Sequence, residues 1–136
     1  MMRRVGCVPR GAAPSGRKRA EVAGQRQAEA RLFGVLGDPV DHSLSPAMHN
    51  AAFAALDLPH LYLRYHVAPA QLPEALDEAR RLRIAGLNLT VPLKETVLPL
   101  VDRLTPDAAR IGAANTLVFT PLGLLGLAGC RHAAGL

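Results

Sequence analysis

The sequence predicts an α/β fold: a three-layer sandwich with a mostly parallel sheet and helices on both faces, preceded by a disordered basic N-terminal tail. Three observations support this. Short apolar runs rich in strand formers alternate with stretches whose apolar residues recur every three or four positions. The connections are short, as in sheets whose strands are joined by crossover helices. The chain has 136 residues, 49% of them hydrophobic and 20% charged, which suits one domain with a tail.

Residues 1–30 mix Arg, Gly, Ala, Pro and Ser without a hydrophobic period and read as the tail. Their Arg-rich, acid-poor composition is shared with organellar transit peptides, but amphipathic spacing is missing, so a mobile extension is the simpler reading. Leu32-Phe33-Gly34-Val35-Leu36-Gly37, closed by Asp38-Pro39, is a buried strand and its turn. A helix is predicted over 46–58, with Pro46 in its first turn and Met48, Ala51, Ala52, Ala55 and Leu56 on its apolar face. A strand over 61–67 follows, then a helix over 72–82 that turns Leu72, Leu76, Ala79 and Leu82 inward and stops at Gly86. The third strand is expected over 87–91. A third helix is expected over 94–104, with Val97, Leu98, Val101 and Leu104 inward. Thr105-Pro106 opens a short helix through Ile111, and 115–119 is a strand. Pro121 to Gly123 turns 124–127 back as a hairpin partner.

The formal charge of +5 invites a nucleic-acid reading until it is located. Seven basic and two acidic side chains lie in residues 1–30, against nine of each in residues 31–136. A neutral body gives no electrostatic footprint for nucleic acid. Cys7 and Cys130 stand alone, without the spacing of a zinc site or a disulfide framework, and suit a reducing cytoplasm. No apolar run approaches the length of a membrane span. Gly123, Gly126 and Gly129 lack the spacing of a dinucleotide fingerprint, and only seven residues follow Gly129. A dinucleotide-binding βαβ unit needs about 30.

In such sheets ligands bind beyond the carboxyl ends of the strands. Asp41-His42-Ser43-Leu44-Ser45-Pro46 occupies that position between the first strand and first helix. Free N–H groups at a helix start attract an anion, and Ser43 and Ser45 could both face a carboxylate. Ser45 could equally cap the helix, although Met48 stands where a capping box would place Glu or Gln. In Gly86-Leu87-Asn88-Leu89-Thr90-Val91-Pro92-Leu93-Lys94, period-two alternation puts Asn88 and Thr90 together on one face. Two polar side chains on a buried face need partners. Lys94, at the next helix start, is badly placed for stability alone, because its charge opposes the helix field. The same field eases proton release, as general acid–base work requires. A solvated lysine beside Glu95 is the plainer alternative. In Ile111-Gly112-Ala113-Ala114-Asn115-Thr116, Asn115 is either a turn residue or a ligand hydrogen-bonder.

Taken together, Gly37-Asp38-Pro39-Val40-x-His42-Ser43-x-Ser45-Pro46-x-Met48-His49-Asn50, the Gly86 to Glu95 run and Ile111 to Thr116 closely resemble the N-terminal, substrate-binding domain of shikimate dehydrogenase. Three motifs in family order are a far more specific signal than any one of them. The resemblance covers residues 31–127, leaving 128–136 as a divergent or truncated end. It implies NADP-dependent, reversible reduction of 3-dehydroshikimate to shikimate, in aromatic amino acid biosynthesis. By position, Ser43 and Ser45 would bind the substrate carboxylate, Asn88, Thr90 and Asn115 would hold ring hydroxyls, and Lys94 would transfer the proton. Quinate/shikimate dehydrogenases share these motifs, which makes quinate a second candidate substrate. The family's Asn-Thr-Asp motif, whose aspartate pairs with the lysine, is replaced by Ala128-Gly129-Cys130-Arg131-His132, and Asp102 lies a helix away. The family's nicotinamide-binding domain is also missing from the sequence. The expected partners are therefore shikimate or 3-dehydroshikimate and a separate cofactor-binding polypeptide, with no NADP site in this chain. A non-catalytic module that binds a small hydroxylated carboxylate is the competing reading.

Overall fold

A computed structural model of the chain describes residues 29–128. The disordered tail expected over 1–30 and the divergent end expected over 128–136 lie almost wholly outside the described residues. Six strands form one sheet in the order β2-β1-β3-β5-β6-β4. They are β1 (Leu32–Gly37), β2 (Leu61–His66), β3 (Gly86–Leu89), β4 (Arg103–Leu104), β5 (Thr116–Thr120) and β6 (Gly123–Leu127). β1 pairs in parallel with β2 and β3, and β4 with β6, while β5 runs antiparallel to both β3 and β6. The sheet is therefore mixed. Its parallel half, β2-β1-β3, carries the crossover helices, and the antiparallel half contains the expected hairpin.

Period-two alternation divides the side chains between two cores. Leu36, Leu87, Leu89, Leu117 and Leu124 face one side, where α2 (Leu72–Arg81) adds Leu72, Leu76 and Ala79. The single-turn α3 (Leu93–Thr96) adds Leu93 to the same core, followed there by Val97. Val35 and Tyr62 face the other side, against Phe33 and Phe53, the latter from α1 (Ser45–Ala55). The three-layer arrangement follows from that division.

Three sequence expectations fail, each for a local reason. The helix over 94–104 does not form. Pro99 has no N–H and its ring crowds the preceding turn, so α3 ends at Thr96 and gives way to a 3-10 turn at Leu98–Leu100. Val101 is extended, and Arg103 and Leu104 join the sheet edge as β4 opposite Leu125 and Gly126. In α1 the predicted apolar stripe faces outward, with Met48 62% and Leu56 67% exposed. An alanine-rich helix offers more than one apolar stripe, and the one carrying His49 and Phe53 wins because aromatic rings bury more surface than methyl groups. Leu82 is 55% exposed, since α2 ends at Arg81 and Arg83 turns into the left-handed region at φ 54°. Gly86 begins β3 rather than stopping the helix.

α4 (Pro106–Ile111) has the caps its sequence suggests. Thr105 Oγ1 accepts from the Ala108 N–H at 3.3 Å, Pro106 sits at the first position, and Gly112 closes the helix at φ 75°. No helix among the described residues is long and apolar enough to cross a membrane.

Candidate functional site

β1 and β3 end side by side because the Thr90 N–H donates to the Leu36 carbonyl at 2.9 Å and Asp38 N–H to the Val91 carbonyl at 3.1 Å. The segments leaving those ends frame a cavity of about 320 Å³. Ser43, Ser45, Asn88, Thr90, Lys94 and Asn115 all line it, together with Thr116. All six residues expected to touch substrate or proton are thus brought together from three separate stretches of chain, 43–45, 88–94 and 115.

The serines sit where the chain turns into α1. Ser43 N–H donates to the Val40 carbonyl at 3.0 Å, and its Oγ accepts from the Ser45 N–H at 3.3 Å. The helix starts one residue earlier than expected, so Leu44 takes the N-cap position and supplies no side-chain cap. The capping role considered for Ser45 is therefore not realised. On the β2 side this loop is tied down by Arg64, which donates to the Asp41 carbonyl, and by a 2.8 Å contact between His66 Nε2 and Asp38.

Lys94 is the second residue of α3, and its carbonyl accepts from the Ala114 N–H at 2.9 Å. That bond fixes the approach to β5 and places Asn115 on the cavity wall. The expectation that a long helix's field acts on Lys94 falls with the helix itself, because a four-residue turn has little aligned dipole.

The polar residues of β3 and β5 form a continuous network. Asn88 faces Thr116 in the antiparallel register. Its Nδ2 donates to Thr116 Oγ1 at 3.1 Å and to the Asn115 carbonyl at 3.4 Å. Its Oδ1 accepts from the Tyr62 hydroxyl at 2.7 Å. Of the polar face predicted for β3, Asn88 therefore has its partners, one strand away on one side and two on the other.

Sequence reasoning missed Tyr62, which is only 3% exposed. Its ring stacks on His49 at 4.3 Å, and both of its backbone groups are held by the Asn50 side chain at 2.8 and 2.9 Å. Burial raises its phenol from 10.0 to about 12, with a hydrogen bond from Ser45 pulling weakly the other way. It was hidden because it lies two strands from Asn88, and only the register places the two on one face. Thr116 was legible within its motif but overshadowed by Asn115 beside it.

Asp102 has a structural task. Its Oδ2 accepts from the Leu124 N–H at 2.6 Å and from Arg80 at 3.3 Å, which secures β6. The absent carboxylate expected at Ala128 to His132 concerns positions that, after Ala128, lie outside the described residues. Gly123 and Gly126 lie within β6 rather than in a strand-to-helix turn, so these glycines do not form the phosphate-binding turn of a dinucleotide fingerprint.

A polar cavity at the carboxyl ends of a mixed α/β sheet, walled by hydroxyls, amides and one lysine, defines a binding domain for a small polar ligand. Residues 35–117 match the family model of the shikimate dehydrogenase substrate-binding domain, and the chain belongs to that family. It is 52% identical over 91 residues to the NADP(+) shikimate dehydrogenase of Thermococcus kodakarensis, covering 67% of this chain and 34% of that relative. It is 55% identical over 95 residues to the Methanosarcina acetivorans enzyme, with 68% and 34% covered. Among solved structures, shikimate dehydrogenase from Aquifex aeolicus superposes with a TM-score of 0.70 at 39% identity, covering 74% of this chain and 38% of that one. Shikimate 5-dehydrogenase from Thermus thermophilus, solved with NADP(H) and shikimate, gives 0.68 at 45% identity, with 71% and 37% covered. The chain spans about a third of the length of the curated relatives it matches.

Proposed function

We propose that this chain binds shikimate or 3-dehydroshikimate as the substrate-binding domain of a shikimate dehydrogenase, the oxidoreductase that interconverts the two with NADP. One observation carries the reading: every residue the motifs nominate lines the same cavity.

In this reading the ligand carboxylate lies against Ser43 and Ser45, whose hydroxyls supply donors beside the start of α1 without a full positive charge. Asn88, Thr90 and Asn115 hold the ring hydroxyls. Lys94 is the cation on the cavity wall, and its ammonium gives a proton to the oxygen of the ketone or recovers it from the alcohol. The redox half of the reaction belongs to the cofactor and is assigned to no described residue. A nicotinamide-binding polypeptide supplied in trans is the natural complement to test.

Calorimetric titration with shikimate checks the binding claim. A saturable heat is expected, weakened about tenfold or more by Ser43→Ala, which removes a hydrogen bond to a charged group. Lys94→Ala should also weaken binding. A folded chain that gives no saturable heat with shikimate or 3-dehydroshikimate overturns the reading. Quinate, titrated in parallel, reports which ring the cavity prefers.

A further inference from the structure

Between the two asparagines of the site stands a single hydroxyl. Thr116 Oγ1 accepts from Asn88 Nδ2 at 3.1 Å and donates to Asn115 Oδ1 at 3.0 Å. It reaches both because Asn88 lies opposite Thr116 across β3 and β5, while Asn115 precedes it in the chain. A threonine hydroxyl has one proton, so donating to Asn115 leaves it only lone pairs to offer Asn88.

The Asn115 backbone carbonyl, the longer of the two contacts, restrains the Asn88 amide in the same sense. One of the two ends of that amide faces the carbonyl at 3.4 Å, and a carbonyl can only accept. Nitrogen must therefore point toward β5 and oxygen toward Tyr62, whose hydroxyl donates to it at 2.7 Å. Both amide protons of Asn88 are then engaged, and one lone pair remains on Oδ1.

We propose that Thr116 is a positioning residue that sets the donor and acceptor polarity of the cavity. Held in this way, Asn88 meets a ligand as an acceptor only, so the ring position facing it must carry a hydroxyl rather than a ketone. The proposal rests on the reading of the cavity as a site for a hydroxylated carboxylate, and it adds which residue enforces the hydroxyl preference and how.

Two variants test it: Thr116→Val, which keeps the shape and removes the hydroxyl, and Thr116→Ser, which keeps the hydroxyl. In the ligand-free chain, NMR of the Asn88 and Asn115 side-chain amides should show both displaced and exchanging faster in Thr116→Val, with Thr116→Ser close to the unsubstituted chain. Shikimate affinity should fall about tenfold in Thr116→Val and stay within about twofold in Thr116→Ser. Thr116→Val should also lose discrimination against shikimate analogues lacking a ring hydroxyl, which a general loss of stability would not produce. A folded Thr116→Val with unmoved amide signals and unchanged affinity overturns the proposal. If the unsubstituted chain does not bind shikimate, the ligand reading fails while the amide signals still decide the positioning role. If Thr116→Val does not fold, exchange in the unsubstituted chain decides it: Asn88 amide protons exchanging as fast as those of free asparagine overturn the proposal.

Discussion

At the scale of single residues, the site depends on a nearly buried side chain that is not part of its lining. Tyr62 contributes a buried ring to one core and a hydroxyl to the polar network of the other side of β1. Removing that hydroxyl with Tyr62→Phe leaves Asn88 Oδ1 without its donor. It should lower stability by about 1 kcal/mol, measured by urea denaturation. The phenol also gives stability a pH dependence of known sign. Its proton is held up to about 12 in the folded chain and lost near 10.0 when unfolded, so the unfolded state binds fewer protons between those values. Stability should therefore be constant below that interval with respect to this group and fall as pH rises through it. Tyr62→Phe should flatten part of the slope, leaving the part due to Tyr65, whose phenol is also raised by burial. Gly37 is constrained for a different reason. A Cβ there would land on the Thr90 side chain, at the edge of the cavity. Gly37→Ala should weaken shikimate binding and cost roughly 1–3 kcal/mol by overpacking, read by calorimetry and denaturation.

At the scale of elements, the structure separates what holds the sheet from what serves the site. Asp102 accepts from Leu124 N–H and pairs with Arg80, linking α2, the run into β4 and β6. Asp102→Ala leaves that N–H unsatisfied and should cost roughly 1–3 kcal/mol, with shikimate affinity unchanged. A loss of affinity at intact fold would instead place Asp102 in the site. The cap of α4 makes a smaller contribution: Thr105→Ala should cost about 1 kcal/mol, visible as a lower urea midpoint. These elements also show where the sequence was readable. β1, β3, β5 and the hairpin strand β6 announced themselves because each is a short apolar run bounded by Gly, Pro or polar residues. The helix over 94–104 misled because its apolar spacing is helical, yet a proline within it forbids the hydrogen bonds such a helix needs. The outward stripe of α1 misled because alanine at many positions makes the buried face ambiguous.

At the scale of the whole molecule, stability is unevenly distributed across the site. The larger core lies on the face with α2 and α3, whereas α1 buries only Pro46 completely and rests on Tyr62 through His49 and Phe53. Local opening should therefore be easiest at α1, the element that carries Ser45. Hydrogen exchange should show faster exchange in α1 than in β1, β3 and β5. Shikimate should slow exchange in α1 more than in those strands, because binding stabilises the closed form in proportion to occupancy. Equal slowing everywhere, or none in α1, would contradict the placement of the ligand against the α1 N-terminus.

The sequence by itself determined the class of fold, the order of most elements and the six residues that converge on the cavity. Those features are written in local patterns: period-two and helical spacing, turn residues, and hydroxyl, amide and lysine groups at strand ends. Only the tertiary structure decided which face of α1 is buried, that Asp102 secures β6, and that Tyr62 and Thr116 orient Asn88. Each of these depends on contacts between segments distant in the chain, down to a register in which a slip of one residue would turn Asn88 to the opposite face.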